Sequence, residues 1–570
     1  MLYKKLAETY EALASTTKRL EKIKILSKFL TQVHELDKEV MYLLMGDIYP
    51  ESDQRRIGIS NQLAIKSIAL AVGTDKNEVV KEWKNLGDLG QVAEKLKKKK
   101  KQSTLHEIAL TTEKVLSNLR KLPELEGKGS INKKLALITE LLTSASPIGS
   151  QYLVRTLIGD LRIGVQESTI REALCSAFFK GDKECSLKIQ ETIDKANDIS
   201  EVFGIAKKGK LKDLEKVHLK IGKPIKAMLP KKVTSIKEGF KEVGCPCALE
   251  YKYDGFRMLI HKQDDKLIVF TRSLENVTNQ FPEVVNYIKK YVKGKSFILD
   301  SEAVGYDKKT KEYTDFQKIS QRIRRKYDIQ KLQDELPVEL NIFDILYHNG
   351  KSMLNEPFKK RTKLLRKIVT DKPYKIISSK QLITDDENKA EKFYKEALKN
   401  SQEGIMFKNL ESPYRPGRRV GNMVKMKPEE RDLDLVITGA EYGAGKRGGW
   451  MSSFIISCKH GEKYLEVGKV GIGIKEKSEA GEEDITFESL TNLLKPYITK
   501  EKGKSVEIKP KIVVAVTYQQ IQKSPNYNSG WALRFPRFIT LRPDKHISEV
   551  NTLDELKKDF ANQKRNYVYG

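Results

Sequence analysis

The sequence contains few cysteines, and their spacing excludes the common zinc-binding and disulfide frameworks. Only five cysteines occur in 570 residues. Cys175, Cys185 and Cys458 are isolated, while Cys245-Pro246-Cys247 is too tightly spaced for a standard zinc pair and has no second pair to complete a site. The pattern predicts reduced cysteines with a structural role.

Long apolar runs are also missing. The N-terminal stretch lacks the apolar core of a signal peptide, and no apolar run approaches the ~20 residues that a helix needs to cross a bilayer. The sequence therefore predicts an intracellular protein without a membrane segment.

Negative charge is in deficit, since 77 aspartate and glutamate residues face 106 lysine and arginine residues, which gives a formal net charge of +29. Such a basic chain indicates a polyanionic partner. A lysine-rich proteome with a solvated lysine surface would explain the same excess, and charge alone favours neither interpretation. Hydrophobic residues make up 39% of the chain, which is ample for cored domains. The length predicts three to four domains of roughly 150 residues each.

Apolar periodicity divides the chain into three parts and predicts a multidomain protein. Residues 1–215 have apolar residues at helical spacing, as in Leu6, Tyr10 and Leu13, and are predicted to form an all-α domain. The lysine run 97–101 interrupts this pattern and is predicted to be an exposed turn or loop. Residues 216–427 alternate strand-like and helical stretches, which is typical of an α+β domain. Residues 428–570 contain short strands separated by glycine-rich turns, which predicts a small β-barrel with a helical insertion near 485–498.

One short run, Glu250-Tyr-Lys-Tyr-Asp-Gly255, carries the strongest chemical signal. Lys252 ends an apolar stretch and is followed by Asp254 and Gly255, a strand-to-turn setting that favours the neutral, nucleophilic amine. The Lys-x-Asp-Gly pattern is the signature of nucleotidyltransferases that carry AMP or GMP on lysine. A surface lysine beside an Asp-Gly turn is the competing interpretation, and the residues that follow argue against it.

Acids and arginines that suit a nucleotide occur downstream in strand-like segments. Glu250 lies two residues before Lys252, so both side chains share one face of a strand, and Glu250 is a candidate contact for the base. Arg257 and Arg272 follow, and their guanidinium groups can donate two parallel hydrogen bonds to the oxygens of a phosphate. Glu302 and Glu403 are candidate magnesium ligands, although ion pairing with nearby cations would explain them too.

Further along the chain, an aromatic residue and a set of cations complete this group. Phe343 lies in an apolar strand and is a candidate stacking residue or a plain core residue. Lys425 and Lys427 alternate on one face of a strand, and Arg419 precedes them by six residues, so that several cations can face one anion.

Taken together, these motifs resemble the ATP-dependent DNA ligases of the three-domain archaeal and eukaryotic replicative type. The resemblance covers nearly the whole chain, and the order and spacing of its motifs are specific. The motifs are Lys252-Tyr-Asp-Gly255, Phe297 through Val304, Phe343-Asp-Ile-Leu-Tyr347, Glu403-Gly-Ile-Met-Phe-Lys408, Met423-Val-Lys-Met-Lys427, Leu533-Arg-Phe-Pro-Arg-Phe538 and Arg542-Pro-Asp-Lys545, together with Asn85 through Gly90 and Leu157 through Val165 in the helical part and Gly445 through Gly449 in the barrel.

The resemblance implies a domain architecture and a role for each motif residue. The three domains would be an all-α DNA-binding domain, an α+β nucleotidyltransferase (adenylation) domain and an OB-fold β-barrel domain. Lys252 would become adenylated, Glu250 would bind the adenine amino group and Phe343 would stack on the base, while Glu302 would meet the ribose or a metal that Glu403 supports. The phosphates would be held by Arg257, Arg272, Arg419, Lys425 and Lys427. The last motif would close over ATP and orient pyrophosphate through Arg534, Arg537, Asp544 and Lys545. Two aromatic residues would press into the DNA minor groove, Phe316 and Phe535.

The resemblance also implies a reaction and its partners. ATP and Mg²⁺ (or Mn²⁺) would adenylate the lysine, AMP would pass to the 5′-phosphate of nicked double-stranded DNA, and the 3′-hydroxyl would then displace it. Replication, repair and recombination all create such nicks. The expected protein is a monomer in the cytoplasm of a prokaryote, and the resemblance points to an archaeon.

Several alternatives share part of this pattern. An RNA ligase or a capping guanylyltransferase uses the same lysine chemistry, but the helical N-terminal region and the final motif disfavour both. An NAD-dependent bacterial ligase would carry a cysteine zinc cluster, and a DNA-binding scaffold without activity would not need Lys252, Glu302, Glu403 and Lys425. The segment near Gln102 is a candidate binding site for a sliding clamp, or an exposed polar loop, because the usual aromatic pair is missing.

Overall fold

The computed structural model describes residues 1–51, 53, 55, 57–99, 109–179, 181, 183–314, 316–325, 327–417, 419–428, 431–443, 447–476 and 485–565. Contacts divide the chain into two compact units. The first comprises residues 1–390 and 405–426, and the second comprises residues 391–404 and 427–570. Within the described ranges, no helix has the length and apolarity required to cross a membrane.

The N-terminal part of the first unit is helical, as predicted. The apolar stripe of the first helix is fully buried at Leu6, Tyr10 and Leu13, so the 3.6-residue period marks the core-facing side. Side chains cap several of these helices at their N-termini, among them Ser60, which accepts from the Leu63 amide. The helices are α1 (Tyr3–Ala14), α2 (Arg19–Gln32), α3 (Val40–Leu44), α4 (Asn61–Val72), α5 (Lys76–Leu86), α6 (Leu89–Lys99), α7 (Thr112–Lys121), α8 (Ser130–Ser144), α9 (Pro147–Leu157), α10 (Glu167–Phe178), α11 (Lys183–Ala196), α12 (Ile199–Lys207) and α13 (Leu211–Glu215).

The prediction of a turn or loop at the lysine run was wrong for its first three residues. Lys97, Lys98 and Lys99 form the last turn of α6. Cations are favourable at a helix C-terminus, where the unpaired carbonyls carry partial negative charge. Lys97 Nζ also donates to the carbonyl of Thr143 at 3.0 Å, which holds this helix end against α8.

Two sheets form the middle of the chain. One has the order β1-β12-β11-β2-β10, and the other has the order β4-β3-β5-β7-β8, with β6 and β9 attached to β5 and β7. Their strands are β1 (Leu229–Val233), β2 (Cys247–Lys252), β3 (Phe256–Gln263), β4 (Lys266–Phe270), β5 (Ser296–Tyr306), β6 (Tyr313–Thr314), β7 (Val338–His348), β8 (Lys351–Ser352), β9 (Ile376–Ser378), β10 (Gln381–Thr384), β11 (Gly404–Asn409) and β12 (Arg419–Met426). The helices between them are α14 (Ile236–Val243), α15 (Pro282–Tyr291), α16 (Phe316–Arg324), α17 (Ile329–Glu335), α18 (Phe358–Ile368) and α19 (Glu387–Lys399).

Strand alternation gives the second of these sheets two different faces. On β3, Phe256, Met258 and Ile260 join one apolar core cluster. Arg257 and His261 point to the opposite face, because successive side chains on a strand alternate. That face is therefore charged at the end where β3 begins, next to the Lys-x-Asp-Gly run.

The second unit is rich in strands and encloses its own core. Its main sheet has the order β15-β14-β13-β17-β16, and β18 pairs with both β13 and β21. Leu433, Leu435 and Ile437 alternate along β13 and are all buried in this core. The predicted helix near 485–498 is present as α20. The elements are β13 (Arg431–Tyr442), β14 (Met451–His460), β15 (Lys463–Val470), α20 (Phe487–Leu494), β16 (Ile498–Lys502), β17 (Ser505–Ile508), β18 (Val513–Tyr518), β19 (Gln520–Lys523), β20 (Trp531–Arg534), β21 (Arg537–Leu541) and α21 (Leu553–Arg565).

Candidate active site

Lys252 is the last residue of β2 and is partly exposed where the strand ends. Glu250, two residues earlier, lies on the same face and is 2% exposed. Tyr253 is buried, and its hydroxyl accepts a hydrogen bond from the Lys380 amide at 3.1 Å. Burial raises the pKa of Tyr253, so its hydroxyl stays neutral and anchors the chain beside Lys252.

Gly255 is required by the close approach of the turn after β2 to strand β5. A Cβ atom at this position would lie 2.3 Å from the carbonyl oxygen of Ala303 and 2.9 Å from its carbonyl carbon. Both are backbone atoms, so a side-chain rotation cannot relieve the contact. The glycine of the Lys-x-Asp-Gly run therefore lets β2 and β3 turn closely against β5.

Gly255→Ala is expected to destabilise the protein by about 1–3 kcal/mol, the usual cost of overpacking, and to displace Lys252. The melting temperature measures the first effect, and the rate of the nick sealing that the motifs lead us to expect measures the second. Gly421→Ala is the matched control, because a Cβ there meets nothing closer than 3.4 Å and its nearest contact is the flexible end of Glu242. Equal melting temperatures for the two variants would contradict this account of Gly255.

The carboxylate of Glu250 is held by two donors. Lys408 Nζ on β11 donates to Glu250 Oε2 at 2.6 Å, and Gln381 Nε2 on β10 donates to Oε1 at 2.8 Å. Lys408 Nζ also lies 4.8 Å from the ring centroid of Phe343, which belongs to the other sheet. Lys408 thereby brings Glu250 and Phe343 into one cluster.

Phe343 owes its partial exposure to a β-bulge. Along β7, the residues on either side, Ile342 and Asp344, are buried, whereas Phe343 is not. Ile342 is opposite Ser301 and Asp344 is opposite Asp300, so Phe343 is the extra residue in the ladder. A bulge turns a side chain away from the regular alternation, and here it frees an aromatic ring from the core.

A buried ion pair occupies the charged face of the second sheet. Arg257 donates to Asp300 through Nε at 2.6 Å and Nη2 at 3.1 Å, and the Tyr414 hydroxyl donates to the same carboxylate at 2.9 Å. Burial alone would lower the pKa of Arg257, but Asp300 and Tyr414 raise it above its ordinary value. Arg257 Nη1 is buried and has no hydrogen-bond partner among the described residues. Glu302 is directly opposite Arg257 in the ladder and is partly exposed on the same face.

The other predicted cations and acids occupy several positions. Arg272 is exposed after β4, and Asp254 is half-buried in the turn after Lys252. Arg419 begins β12, and Lys425 lies on the same strand, where its backbone is in register with Met406 of β11. Glu403 and Lys427 belong to the second unit and form an ion pair with each other.

The C-terminal motif forms a network within the second unit. Asp434 accepts from Arg542 Nη1 at 2.9 Å and from Lys545 Nζ at 2.5 Å, and Asp544 pairs with Arg542 at 2.7 Å. The hydrogen bond from Arg542 holds the pKa of Asp544 below its usual range.

Between β20 and β21, Phe535 has a left-handed backbone with φ of 50° and is 64% exposed. Such a conformation is strained for a bulky residue and often marks a functional position. Its neighbour Arg534 donates weakly to Gln520 at 3.5 Å, and Arg537 is exposed on β21.

Phe316 begins α16 and packs partly against the core of the first unit, with its ring centroid 6.5 Å from that of Phe256. The candidate clamp segment near Gln102 lies outside the described residues, and so do the first two residues, 445 and 446, of the glycine-rich stretch that begins at Gly445. Within the described part of the chain, no group of three or more histidine, cysteine, aspartate and glutamate side chains is arranged to hold a metal ion.

Sequence reasoning missed several residues that build this site. Lys408 and Asp300 lie within the quoted motifs but have no role in the sequence analysis, which does not mention Gln381 and Tyr414. Asp300 and Lys408 could have been found, because each is a charged residue within an apolar strand and a buried charge requires a partner.

Comparison with known proteins defines the class first. Three family models match consecutive parts of the chain: a DNA ligase N terminus over residues 2–175, an ATP dependent DNA ligase domain over residues 227–427, and an ATP dependent DNA ligase C terminal region over residues 447–545. The solved structure described as Pmar-Lig_PreS3 has a TM-score of 0.59 at 18% identity and covers 94% of this chain and 99% of its own, which shows a shared fold. The architecture is that of a three-domain ligase with a helical N-terminal region and a strand-rich C-terminal region.

Full-length relatives then narrow the class to a family. The chain is 44% identical to a DNA ligase of Nanoarchaeum equitans over 566 residues, with 99% of each chain covered. It is 39% identical to a DNA ligase of Methanocaldococcus jannaschii over 588 residues, with 99% of this chain and 100% of the relative covered. The chain belongs to the ATP-dependent DNA ligases, enzymes that seal nicks in duplex DNA. The family and the activity that the motifs led us to expect are confirmed.

Proposed function

We propose that Lys252 is the nucleophile that carries AMP during nick sealing. The observation that supports this assignment best is its position on one face of β2 with Glu250, whose carboxylate is tied through Lys408 to the ring of Phe343. Glu250 would accept a hydrogen bond from the amino group of adenine, and Phe343 would stack on the base. Lys252 is two residues along β2 from Glu250, and we propose that the ribose and the α-phosphate bind on the Lys252 side of the base.

Arg257 and Glu302 are proposed to bind the sugar and phosphate part of ATP. A buried N–H donor without a partner costs roughly 1–3 kcal/mol, and a nucleotide oxygen at Arg257 Nη1 would remove that cost once the side chains that cover this buried atom move. Arg272, Arg419, Lys425 and Lys427 are proposed to hold phosphate oxygens, with Asp254 and Gly255 shaping the turn beside them.

A divalent metal ion is proposed to bind mainly through substrate oxygens. Mg²⁺ usually keeps several waters and binds one or two protein carboxylates together with substrate phosphates, so a dedicated protein cage is unnecessary. Glu302 and Glu403 are the proposed ligands, and Mn²⁺ would suit the same oxygen donors. When bound, the metal would neutralise charge on the phosphates.

The chemistry of the protein residues is a relay of AMP. The amine of Lys252 attacks the α-phosphorus of ATP and loses a proton to solvent, a nitrogen–phosphorus bond forms, and pyrophosphate leaves as its bond to the α-phosphorus breaks. The 5′-phosphate of the nick then takes AMP from Lys252. Finally the 3′-hydroxyl attacks that phosphate and AMP departs, while Lys425 and Lys427 stabilise negative charge on the transferring group.

The three regions are proposed to divide the work. Residues 1–215 would bind duplex DNA, residues 216–427 would carry out adenylation, and residues 428–570 would form an OB-fold that closes over ATP through Arg534, Arg537, Asp544 and Lys545. A net charge of +29 supports binding to the DNA backbone, which predicts strong salt dependence. The enzyme is proposed to act as a monomer, and clamp binding near Gln102 stays a prediction.

Phe316 and Phe535 are proposed to contact the minor groove beside the nick, and Phe535 offers the clearer test. Phe535→Ala should weaken binding to nicked DNA roughly fivefold to a hundredfold, because a buried aromatic contact with a base is worth about 1–3 kcal/mol. Lysine adenylation without DNA should be unchanged. Ile539→Ala removes another exposed apolar side chain, 45% exposed on β21, and is the matched control. Equal losses for both variants would contradict a specific role for Phe535.

The function is tested by separating ATP from DNA in time. The wild-type protein is incubated with ATP and Mg²⁺, freed of nucleotide by gel filtration, and then mixed with a 5′-phosphorylated nick. We expect one nick to be sealed per adenylated molecule without further ATP. A complete dependence on ATP added with the DNA, despite full recovery of active protein, would contradict a stored lysine–AMP intermediate.

A further inference from the structure

Lys408 is a buried cation to which the proposed reaction assigns no chemical step. It is 6% exposed, and its ammonium group lies 4.8 Å from the ring centroids of both Phe343 and Phe358. A buried charge is costly unless a partner of opposite charge is close, and Glu250 Oε2 at 2.6 Å supplies that partner. The ammonium group therefore has one strongly preferred position, between an aromatic ring of one sheet and a carboxylate of the other.

Gln381 restrains the other carboxylate oxygen of Glu250. The two residues are directly opposite each other in the β2–β10 ladder, and Gln381 Nε2 donates to Glu250 Oε1 at 2.8 Å. The same amide group lies 3.3 Å from the Thr362 hydroxyl, which limits its rotation. A carboxylate has about four acceptor positions. Lys408 and Gln381 occupy one on each oxygen, and the positions that remain can only accept hydrogen bonds.

We infer that Lys408 is a positioning residue that makes the nucleotide site selective for a purine with an amino group at C6. The inference rests on the proposed function, in which Glu250 contacts that amino group. With Lys408 in place, the carboxylate is fixed as an acceptor at a set distance from the stacking ring of Phe343. A 6-amino group donates to it, whereas a 6-oxo group would place an acceptor against an acceptor.

The test uses nucleotides that differ at C6. Transfer of labelled nucleotide to the protein is measured without DNA, using ATP, GTP and purine riboside 5′-triphosphate, which lacks a substituent at C6. The wild-type protein should prefer ATP to purine riboside triphosphate by about tenfold to a hundredfold in the ratio of maximal rate to half-saturating concentration, the usual worth of a hydrogen bond to a charged group. Lys408→Met keeps an unbranched side chain of similar length and removes the ammonium group.

We expect Lys408→Met to lose most of this preference. Its transfer from ATP should fall by about tenfold or more, whereas transfer from purine riboside triphosphate should change little, since that nucleotide never used the oriented carboxylate. Lys262→Met is the matched control. Lys262 is a partly buried lysine whose Nζ, like that of Lys408, lies near a phenylalanine ring, 5.4 Å from the centroid of Phe297, but it donates to the carbonyl of Gly294, which is not a proposed site residue.

Gln381→Leu provides a second, independent variant, because it frees only one oxygen of Glu250 and leaves its charge paired. It should lose part of the preference for ATP, and it decides the matter if Lys408→Met does not fold. Equal slowing with both nucleotides, or an undiminished preference for ATP, would overturn the inference and assign Lys408 a purely structural role. A wild-type protein that accepts no label from any of the three nucleotides would instead overturn lysine adenylation itself.

Discussion

Lys252→Ala is expected to abolish sealing of a 5′-phosphorylated nick, with a loss on the order of 10⁴-fold or more, because removing a nucleophile removes the covalent path altogether. Labelled ATP should transfer no AMP to the variant protein. A nick that already carries AMP on its 5′-phosphate bypasses this step. The variant should therefore still seal the adenylated nick at a measurable rate, which is followed by gel analysis of single-turnover reactions.

Lys252→Arg separates the nucleophile from its charge. Arginine keeps the positive charge at the end of β2, but its guanidinium group stays protonated near neutral pH and offers no amine that could attack the phosphorus. It should fail on the phosphorylated nick as completely as alanine does. Normal AMP transfer to either variant would contradict the assignment of Lys252, and failure of both on the adenylated nick would show that the substitutions damage the fold.

The second large effect concerns stability, at the ion pair beside Phe343. Asp344 and Arg361 are almost fully buried, and Arg361 donates to the carboxylate through Nε at 2.8 Å and Nη2 at 3.0 Å. Asp344→Ala would leave the arginine charged and unpaired in the interior. We expect the free energy of unfolding to fall by about 3–5 kcal/mol. For a domain of the size of residues 216–427, the melting temperature should then fall by roughly 6–20 °C.

Lys359→Ala is the control, because Lys359 lies on α18, the helix that also carries Arg361. Lys359 pairs with Glu411 at 2.6 Å, but both side chains are more than half exposed. A pair of this kind contributes about 0–1 kcal/mol, so the melting temperature should barely move. Similar shifts for Asp344→Ala and Lys359→Ala in calorimetry would contradict the importance assigned to the buried pair.

Local patterns of the sequence predicted the elements that hold the site. Apolar periodicity located the helices of the N-terminal region, and the apolar stretch that ends at Lys252 indicated the strand β2. The two-residue period of a strand then placed Glu250 and Lys252 on one face. The lysine run at the end of α6 was misjudged, since charge favours exposure but also suits a helix C-terminus.

Contacts between distant segments were beyond such reasoning. Lys408 is 158 residues from Glu250 in sequence, and nothing near either residue indicates that they pair. The exposure of Phe343 depends on a register shift between β5 and β7, which only the paired strands define. The strand around Phe343, from Ile342 to Leu346, is apolar apart from Asp344, so the pattern left a core position and a stacking position equally open.

The most direct test of the account is to find the residue that carries AMP. The protein is incubated with ATP and Mg²⁺ without DNA, digested under conditions that preserve phosphoramidates, and mapped by mass spectrometry. We predict a single modified peptide with AMP on Lys252, and none in Lys252→Ala. AMP on another lysine, or unmodified protein that nonetheless seals nicks with ATP, would contradict the central claim.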